Sequence, residues 1–306
     1  MTELEGGGAG GASPPSPSST IGRRERLELL SARIPFRLKL ALVWAAIVAI
    51  FATLFAAAGF DTQWMREHVR FIAGGLTWTA IIAVASIALA CVLALFGALG
   101  RLSRNPIAIG VTSFYTSFFR GTPLIVQLFL IYLALPQIGI GLGPPWNEWL
   151  TLDVFTAGII ALGLNYGAYM TEIFRAGIQS VGHGQSEAAE ALGMTYAQKM
   201  RRVVLPQAVR VIIPPTGNEF IAMLKDTALV SLLGASVEQM EIFRRAQLAG
   251  RADFRYLEAL LIAALMYWAL TTIFQYFQLR LERRLSKGYV RGTAGVAVAG
   301  ERGGSR

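Results

Sequence analysis

The chain has 306 residues, of which 54% are hydrophobic and only 15% are charged, a composition typical of a membrane protein. The net charge of +9 does not require a nucleic acid partner, because membrane proteins gather lysine and arginine in their cytoplasmic loops. The single cysteine, Cys91, excludes an intramolecular disulfide.

The two ends of the chain differ in composition from the region between them. Residues 1–20 are mostly Gly, Ser, Pro and Ala, and a basic stretch then continues to residue 39. We expect residues 1–39 to be a disordered, basic cytoplasmic tail, because this composition cannot build a core. A signal peptide also begins with basic residues, but here the apolar run starts late and no clear cleavage site follows it. Residues 285–306, rich in Gly and Ala, are predicted to be a second disordered tail.

Six apolar runs of about twenty residues predict an all-α, polytopic membrane protein with six transmembrane helices. The predicted spans are residues 40–60, 71–100, 122–136, 154–172, 211–233 and 256–278. The fifth is the least apolar and contains Pro214 and Pro215, which remove backbone donors. This span should therefore face protein or a water-filled cavity rather than lipid. The alternative is that the prolines lie just below the membrane and mark where the span begins.

The distribution of lysine and arginine orients the spans. With the N-terminus inside, the cytoplasmic segments hold the basic tail, Arg101, Arg104, three cations at 199–202 and four at 280–287. The outer segment 235–255 carries four arginines and argues mildly against this orientation. The total number of lysines and arginines is still higher on the side that holds the termini, which favours cytoplasmic termini.

A compact charged segment, residues 187–206 (EAAEALGMTYAQKMRRVVLP), separates the fourth and fifth apolar runs. Its start favours helix, because alanine and glutamate are strong helix formers. Gly193 can end that helix in the left-handed conformation, and Thr195 with a glutamine three residues later is a capping-box signature for a second helix. Pro206 disfavours helix at the preceding residue, so the second helix is predicted to end at Leu205.

The spacing of this segment resembles the cytoplasmic coupling loop, or EAA loop, of ABC importer permeases: Glu-Ala-Ala, three residues, glycine, nine residues, then Val-x-Leu-Pro. In that family the first helix of the loop docks into a groove on a separate ATPase subunit. The resemblance places the loop at residues 178–208 and assigns coupling to Glu187, Ala188, Ala189, Gly193, Leu205 and Pro206. Small side chains at 188 and 189 would let the partner surface approach. The alternative is an ordinary helical hairpin between two spans, but the full spacing within a polytopic protein favours the coupling loop.

Three further segments resemble permeases for polar amino acids of the histidine, glutamine and arginine type. They are FFRGTPLIVQLFLIY at 118–132, EIFRAGIQSV at 172–181 and LKDTALVS at 224–231. The resemblance implies a five-helix type I importer core at residues 71–284 in the bacterial inner membrane, preceded by an extra N-terminal helix at 40–60. It also implies a binding protein on the outer side, whose contacts we expect in the loops 137–153 and 235–255.

The sequence contains no Gly-x-x-x-x-Gly-Lys-Ser/Thr motif that would cradle nucleotide phosphates. We therefore expect no enzyme activity and no cofactor in this chain, with ATP and Mg bound by partner ATPase subunits. The two histidines, His68 and His183, fall on opposite sides of the predicted membrane and are not expected to bind a metal. The expected partners are the ATPase subunits, a second or homologous permease chain, the binding protein and membrane lipid.

Burying ionisable groups within a membrane is costly. Polar residues that the chain nevertheless has at membrane depth are therefore candidates for a substrate path. The alternative is that the charges pair with each other and fix the packing of one subunit against the next. Packing is favoured for Glu172, with Arg120 and Arg175, whereas for Glu219 and Lys225 the two interpretations are equally supported. The predicted path residues are Asn165, Tyr169 and Glu172, which share one helix face, together with Glu219, Lys225 and Asp226.

We therefore expect the permease subunit of a dimeric ABC importer for polar amino acids, which a binding protein delivers. Alternatives are an importer for another small solute, such as an osmolyte, and a self-contained secondary transporter. The secondary transporter would need internal repeats, and the sequence shows none.

The orientation can be tested with single cysteines after Cys91 is replaced by serine. Because charge bias places residue 198 inside, Gln198→Cys should resist an impermeant thiol reagent in intact cells, whereas Gly143→Cys should react. Labelling at residue 198 but not at residue 143 would show that the topology is inverted.

Overall fold

The computed structural model describes residues 35–57, 59–234, 236 and 239–285, and these residues form helices with no β-strand. Most of the two tails predicted to be disordered lies outside the described residues. The α-helices in chain order are α1 Phe36–Ala57, α2 Thr62–Ala73, α3 Gly75–Arg101, α4 Pro106–Gly121, α5 Leu124–Phe129, α6 Leu135–Leu142, α7 Trp146–Trp149, α8 Val154–Gln179, α9 His183–Ala191, α10 Tyr196–Lys199, α11 Leu205–Asp226, α12 Ile242–Ala252 and α13 Tyr256–Leu285. Two π-helical turns, Leu130–Ala134 and Met200–Val204, and a 3₁₀ helix, Thr227–Leu233, complete the described elements.

Five helical segments in the described residues are long and apolar enough to cross a membrane: Phe36–Ala57, Thr62–Arg101, Leu124–Leu142, Val154–Gln179 and Tyr256–Leu285. They correspond to five of the six predicted spans, although several extend further than predicted. Residues 211–233 do not meet that criterion. Their helix, α11, contains two prolines and three charged residues after residue 211, which lower its mean hydropathy.

The chain divides into two units, Met1–Phe60 and Asp61–Arg306. In the first unit, α1 has no buried residue, and beyond Lys39 it is apolar on every face apart from Thr53. This part of the helix has a surface that suits a lipid environment.

The core of the second unit is built where α3 crosses α8. Alanines 90 and 94 of α3 and alanines 157 and 161 of α8 are fully buried. A Cβ at Gly97 would lie 2.4 Å from Thr171 Oγ1, and one at Gly163 would lie 2.5 Å from Leu89 Cδ2. Small residues therefore let the two backbones approach closely, as they do in packed membrane helices.

A second cluster joins α2, α12 and the start of α13 at one end of this unit. Its buried members include Ile72, Ile242, Ala246 and Ile262. A Cβ at Gly75 would lie 2.5 Å from the backbone nitrogen of Ile242, so α12 rests directly on the beginning of α3.

The predicted end of the second loop helix at Leu205 is wrong. The π-helical turn Met200–Val204 leads directly into α11, so the chain remains helical from Tyr196 to Asp226. Pro206 occupies the first turn of the new α segment, where its missing N–H is not needed. Pro136 follows the other π-helical turn in the same way.

Candidate functional site

The coupling segment forms the predicted helix, elbow and second helix. After α9, Gly193 has φ +73°, its N–H donates to Glu190 O at 2.9 Å, and Met194 N–H donates to Ala189 O at 3.1 Å. These two bonds are a Schellman cap, which closes the helix end. The predicted capping box is confirmed: Gln198 N–H donates to Thr195 Oγ1, and Thr195 N–H donates to Gln198 Oε1.

An ion pair joins the two helices of the loop. Lys199 Nζ donates to Glu190 Oε1 and also lies 5.7 Å from the centre of the Tyr196 ring. The hydrogen bond and the positive charge of Lys199 lower the pKa of Glu190. Because Lys199 contributes to the shape of the elbow, substituting it would disturb the loop.

The loop presents part of its first helix to solvent. Glu187 and Ala188 are exposed, but Ala189 is 3% exposed and is therefore buried within the chain. Of the two small residues predicted to let a partner approach, only Ala188 is accessible. Leu192, just before the elbow, is 78% exposed, and our sequence analysis missed it although an apolar side chain beside a helix-ending glycine was visible there.

The base of the loop is anchored in the membrane-spanning helices. A buried cluster contains Ala98 of α3, Ile178 of α8, Val204, and Ala208 and Ile212 of α11. Leu205 packs against this cluster, whereas Pro206 is exposed. The loop is thus continuous with α11 and packed against α3 and α8.

Asn165 is 6% exposed and has a structural partner for each of its amide hydrogens. Its Nδ2 donates to Phe119 O and to Gln127 Oε1, each at 3.1 Å. Gln127 in turn donates to Phe119 O at 2.9 Å and to Thr122 Oγ1 at 2.7 Å. These bonds satisfy the end of α4 where Pro123 interrupts it, so Asn165 holds a helix break within the chain.

The other two residues of that face of α8 also have partners. Glu172 accepts from Arg175 Nε at 2.8 Å and lies 3.5 Å from Arg101 Nη2. Arg120 instead lies over the ring of Tyr169 at 5.4 Å, and Tyr169 is 40% exposed. Glu172 therefore pairs with Arg175 within α8, and Arg120 does not join this pair; a packing role between subunits stays a prediction.

On α11, Asp226 accepts from Tyr166 Oη at 2.7 Å. Glu219 is half-buried and Lys225 is exposed, and the structure gives no ion pair between these two described residues. They are six positions apart in the sequence, which places them roughly 120° apart around the helix. They are not a packing pair with each other inside this chain.

The histidines form no metal site in the described part of the chain, where no group of three or more His, Cys, Asp and Glu residues could hold a metal ion. The ring of His68 stacks on Trp64 at 4.1 Å, and its Nε2 lies 3.5 Å from Asp253 Oδ2. The side chain of His183 lies outside the described residues.

Residues 86–287 match the family described as "Binding-protein-dependent transport system inner membrane component". The chain belongs to this family. Its members' role is transport across the inner membrane, so the chain is a transport subunit and not an enzyme.

Several curated relatives are similar over most of the chain. A "Probable amino-acid ABC transporter permease protein PatM" of Vibrio harveyi is 40% identical over 76% of this chain and 100% of its own length. "Arginine transport system permease protein ArtQ" of Bacillus subtilis is 40% identical over 71% of this chain and 94% of its own. "Arginine transport system permease protein ArgU" of Corynebacterium glutamicum is 37% identical over 90% of this chain and 88% of its own. The last alignment is long enough to include α1, so similarity to relatives is not confined to the predicted core.

Two solved structures share the fold. One, titled "Crystal structure of an amino acid ABC transporter with histidines", is 39% identical and covers 74% of this chain and 99% of its own, with a TM-score of 0.65. The other, an inward-facing MetNI methionine ABC transporter, is 19% identical over 70% of this chain and 96% of its own, with a TM-score of 0.57. The second therefore supports the fold alone.

The geometry of the elbow predicts how substitutions at Gly193 will behave. A Cβ at this position meets no atom within 4 Å, so only the positive φ restricts the residue. Gly193→Val should cost about 1–3 kcal/mol in backbone strain and deform the first loop helix, whereas Gly193→Asn should be tolerated because asparagine adopts the left-handed conformation. A pull-down of the ATPase subunit in detergent, with membrane insertion checked by blotting, measures the difference. Equal retention of the ATPase by both variants would contradict a coupling role for the elbow.

Proposed function

We propose that the chain is the permease subunit of an ABC importer that translocates polar amino acids delivered by an extracytoplasmic binding protein. The observation that carries this proposal is the similarity, at 36–40% identity, to relatives named for amino acids, arginine, cystine and glutamine. ATP and Mg are bound by separate ATPase subunits, and this chain carries no cofactor. A second permease chain, identical or homologous, completes the translocation unit.

We infer six membrane spans with both termini in the cytoplasm. The sixth span is α11, whose 22 residues are long enough, at ~33 Å, to cross the hydrocarbon layer. Its charged residues and its prolines are tolerable because the helix packs between α8 and α13 rather than lying in lipid alone. Near the end of α13, Gln278 Nε2 donates to Pro214 O at 3.1 Å, as expected for neighbouring antiparallel spans.

Coupling follows from the continuity of the loop with α11. We infer that the exposed face of α9, with Glu187, Ala188 and Leu192, docks on the ATPase subunit. The rigid contacts of the elbow then transmit the motion of the ATPase subunit through the Met200–Val204 turn into α11. Because the same helix carries Glu219 and Lys225, closure of the ATPase subunits would move these charges relative to α8 and alternate access to the path.

Glu219 and Lys225 are the strongest substrate-path candidates among the six predicted residues. Asn165, Glu172 and Asp226 already have partners inside the chain. Opposite charges on different faces of one helix suit a substrate with both an ammonium and a carboxylate group. Tyr169 remains a candidate through its exposed ring.

An importer for an osmolyte and a secondary transporter are the alternatives, and one experiment separates all three. The purified complex in proteoliposomes should show ATPase activity that rises with binding protein loaded with arginine, glutamine, histidine or cystine, and not with one loaded with glycine betaine. Stimulation by betaine alone would support the osmolyte importer. Uptake by this chain without any ATPase subunit would support the secondary transporter.

The path assignment predicts the behaviour of charge-removing variants. Glu219→Gln and Lys225→Met should each lower amino acid uptake about tenfold or more, equivalent to ~1.4 kcal/mol, while the complex still assembles. Gel filtration of the complex and uptake into vesicles should be measured together. Tyr166→Phe, which removes only the hydroxyl that bonds Asp226, is the control for an effect on packing. Reduced assembly in both single variants, restored in the double variant, would contradict the path role.

A further inference from the structure

The turn between α12 and α13 exposes an aromatic side chain in a strained conformation. Phe254 has φ +57°, and no other non-glycine residue in the described chain has a positive φ. At 87% it is also the most exposed large hydrophobic residue among those described. A bulky residue in this region costs conformational free energy, and such strain is commonly retained at functional positions.

The strain at Phe254 is not offset by packing of its own ring, because the ring is almost fully exposed. Phe254 follows Asp253, the C-cap residue of α12, at the position of a helix end where a positive φ is usual and is normally taken by glycine. Contacts of the two neighbouring residues also hold the turn. Asp253 Oδ2 accepts from Trp64 Nε1 at 2.6 Å and lies 3.5 Å from His68 Nε2. On the other side, Arg255 pairs with Asp61 Oδ2 at 3.3 Å.

The backbone of the turn is equally constrained. Arg255 N–H donates to Gly250 O at 2.9 Å, and Arg255 Nη1 lies 3.2 Å from Glu258 Oε1. A Cβ at Gly250 would approach the Cα of Tyr256 to 3.1 Å. The turn is therefore a rigid support that holds Phe254 in one position, which lowers the entropic cost of using it as a contact.

This turn lies at the end of the unit opposite the coupling loop. Gln278, near the end of α13, donates to the carbonyl of Pro214 in the first half of α11, and α11 continues directly from the loop. The start of α13, and Phe254 before it, must then lie at the far end of these antiparallel helices. In the proposed topology that end is outside the membrane.

The charges around the turn favour an acidic partner. Three exposed arginines, Arg66 and Arg70 of α2 and Arg251 of α12, have no ion-pair partner among the residues that the structure describes. Helix α2 packs against α12 and α13, so all three belong to the same end of the unit. The carboxylates of Asp61 and Glu258 there are already paired with arginine. Two further carboxylates are exposed at this end, Glu67, which accepts from Gln63, and Asp253, which accepts from Trp64. The three arginines outnumber them, so the accessible surface around Phe254 carries an excess of positive charge.

We propose that Phe254 is an anchor for the solute-loaded binding protein, inserting into an apolar pocket that the binding protein rims with acidic residues. The inference rests on the proposed function. Aromatic residues, phenylalanine among them, are enriched in the cores of protein interfaces, and a polar rim surrounds those cores. The lipid interface is a poorer occupant, since its aromatic belts use tryptophan and tyrosine, which carry a polar group, whereas phenylalanine has none.

The test compares Phe254→Ala, Phe254→Gly, Phe254→Trp and the matched exposed apolar control Leu257→Ala. The reconstituted complex is titrated with binding proteins loaded with arginine, glutamine or cystine, and each variant's ATPase stimulation is normalised to its own unstimulated rate. Phe254→Ala and Phe254→Gly should each raise the half-saturating binding-protein concentration tenfold or more, with Phe254→Trp and Leu257→Ala near the parental value. The two variants differ in their effect on the backbone, because glycine relieves the strain and alanine does not. An equal loss in both therefore indicates the missing ring and not the strain.

Parental titration curves for both the alanine and glycine variants, or an equal loss in Leu257→Ala, would overturn the docking role. A spin label attached at Phe254→Cys, in the Cys91→Ser background, gives a second test. If the label collides more with lipid-soluble oxygen than with a water-soluble nickel complex, residue 254 lies in lipid and the docking role is also overturned. No stimulation of the unmodified complex by any loaded binding protein would overturn the proposed function, and this docking with it. Stimulation that does not depend on residue 254 overturns the docking alone.

Discussion

Backbone polar groups in a membrane must be satisfied inside the protein, and this constraint explains three amide side chains that bond backbone carbonyls. Where Pro123 separates α4 from α5, Gln127 and Asn165 bond the Phe119 carbonyl that the helix leaves free. Within α11, Gln278 of the neighbouring helix bonds the carbonyl of Pro214 itself, and the helix continues without a break. Amide side chains suit these positions because they bond backbone carbonyls without placing a charge in the core. The helix break at Pro123 can therefore persist at a fixed place.

The π-helical turns accommodate prolines where the chain stays helical. A proline inside an ordinary α-helix clashes with the preceding turn, but a widened turn places Pro206 at the start of a new segment. The coupling loop and α11 consequently form one continuous helical path from Tyr196 to Asp226. That continuity makes a mechanical link between an ATPase subunit and the substrate path physically reasonable, whereas a flexible loop at Leu205 would absorb the motion.

Pairing of charges separates structural residues from candidates for function. Glu172, Asp226 and Glu190 have partners within the chain, so their positions are explained by packing or by the shape of the elbow. Glu219 and Lys225 lack such a pair with each other. The same reasoning distinguishes Phe254 from an ordinary surface residue, because its neighbours are clamped while its own ring contacts little.

The sequence by itself determined the class of protein, five of the membrane-crossing helices, the glycine elbow and the capping box, because these depend on local composition and on contacts within a few residues. It also carried the resemblance that led to the family. The tertiary structure decided that Ala189 is buried, that Asn165 closes a helix break, and that the helix passes through Pro206. It alone revealed the strained turn at Phe254, since Asp253 and Arg255 hold that turn through Trp64 and Asp61, about 190 residues earlier in the chain. Contacts of such long range leave no periodic pattern in a single sequence, and they exist only once the helices have packed.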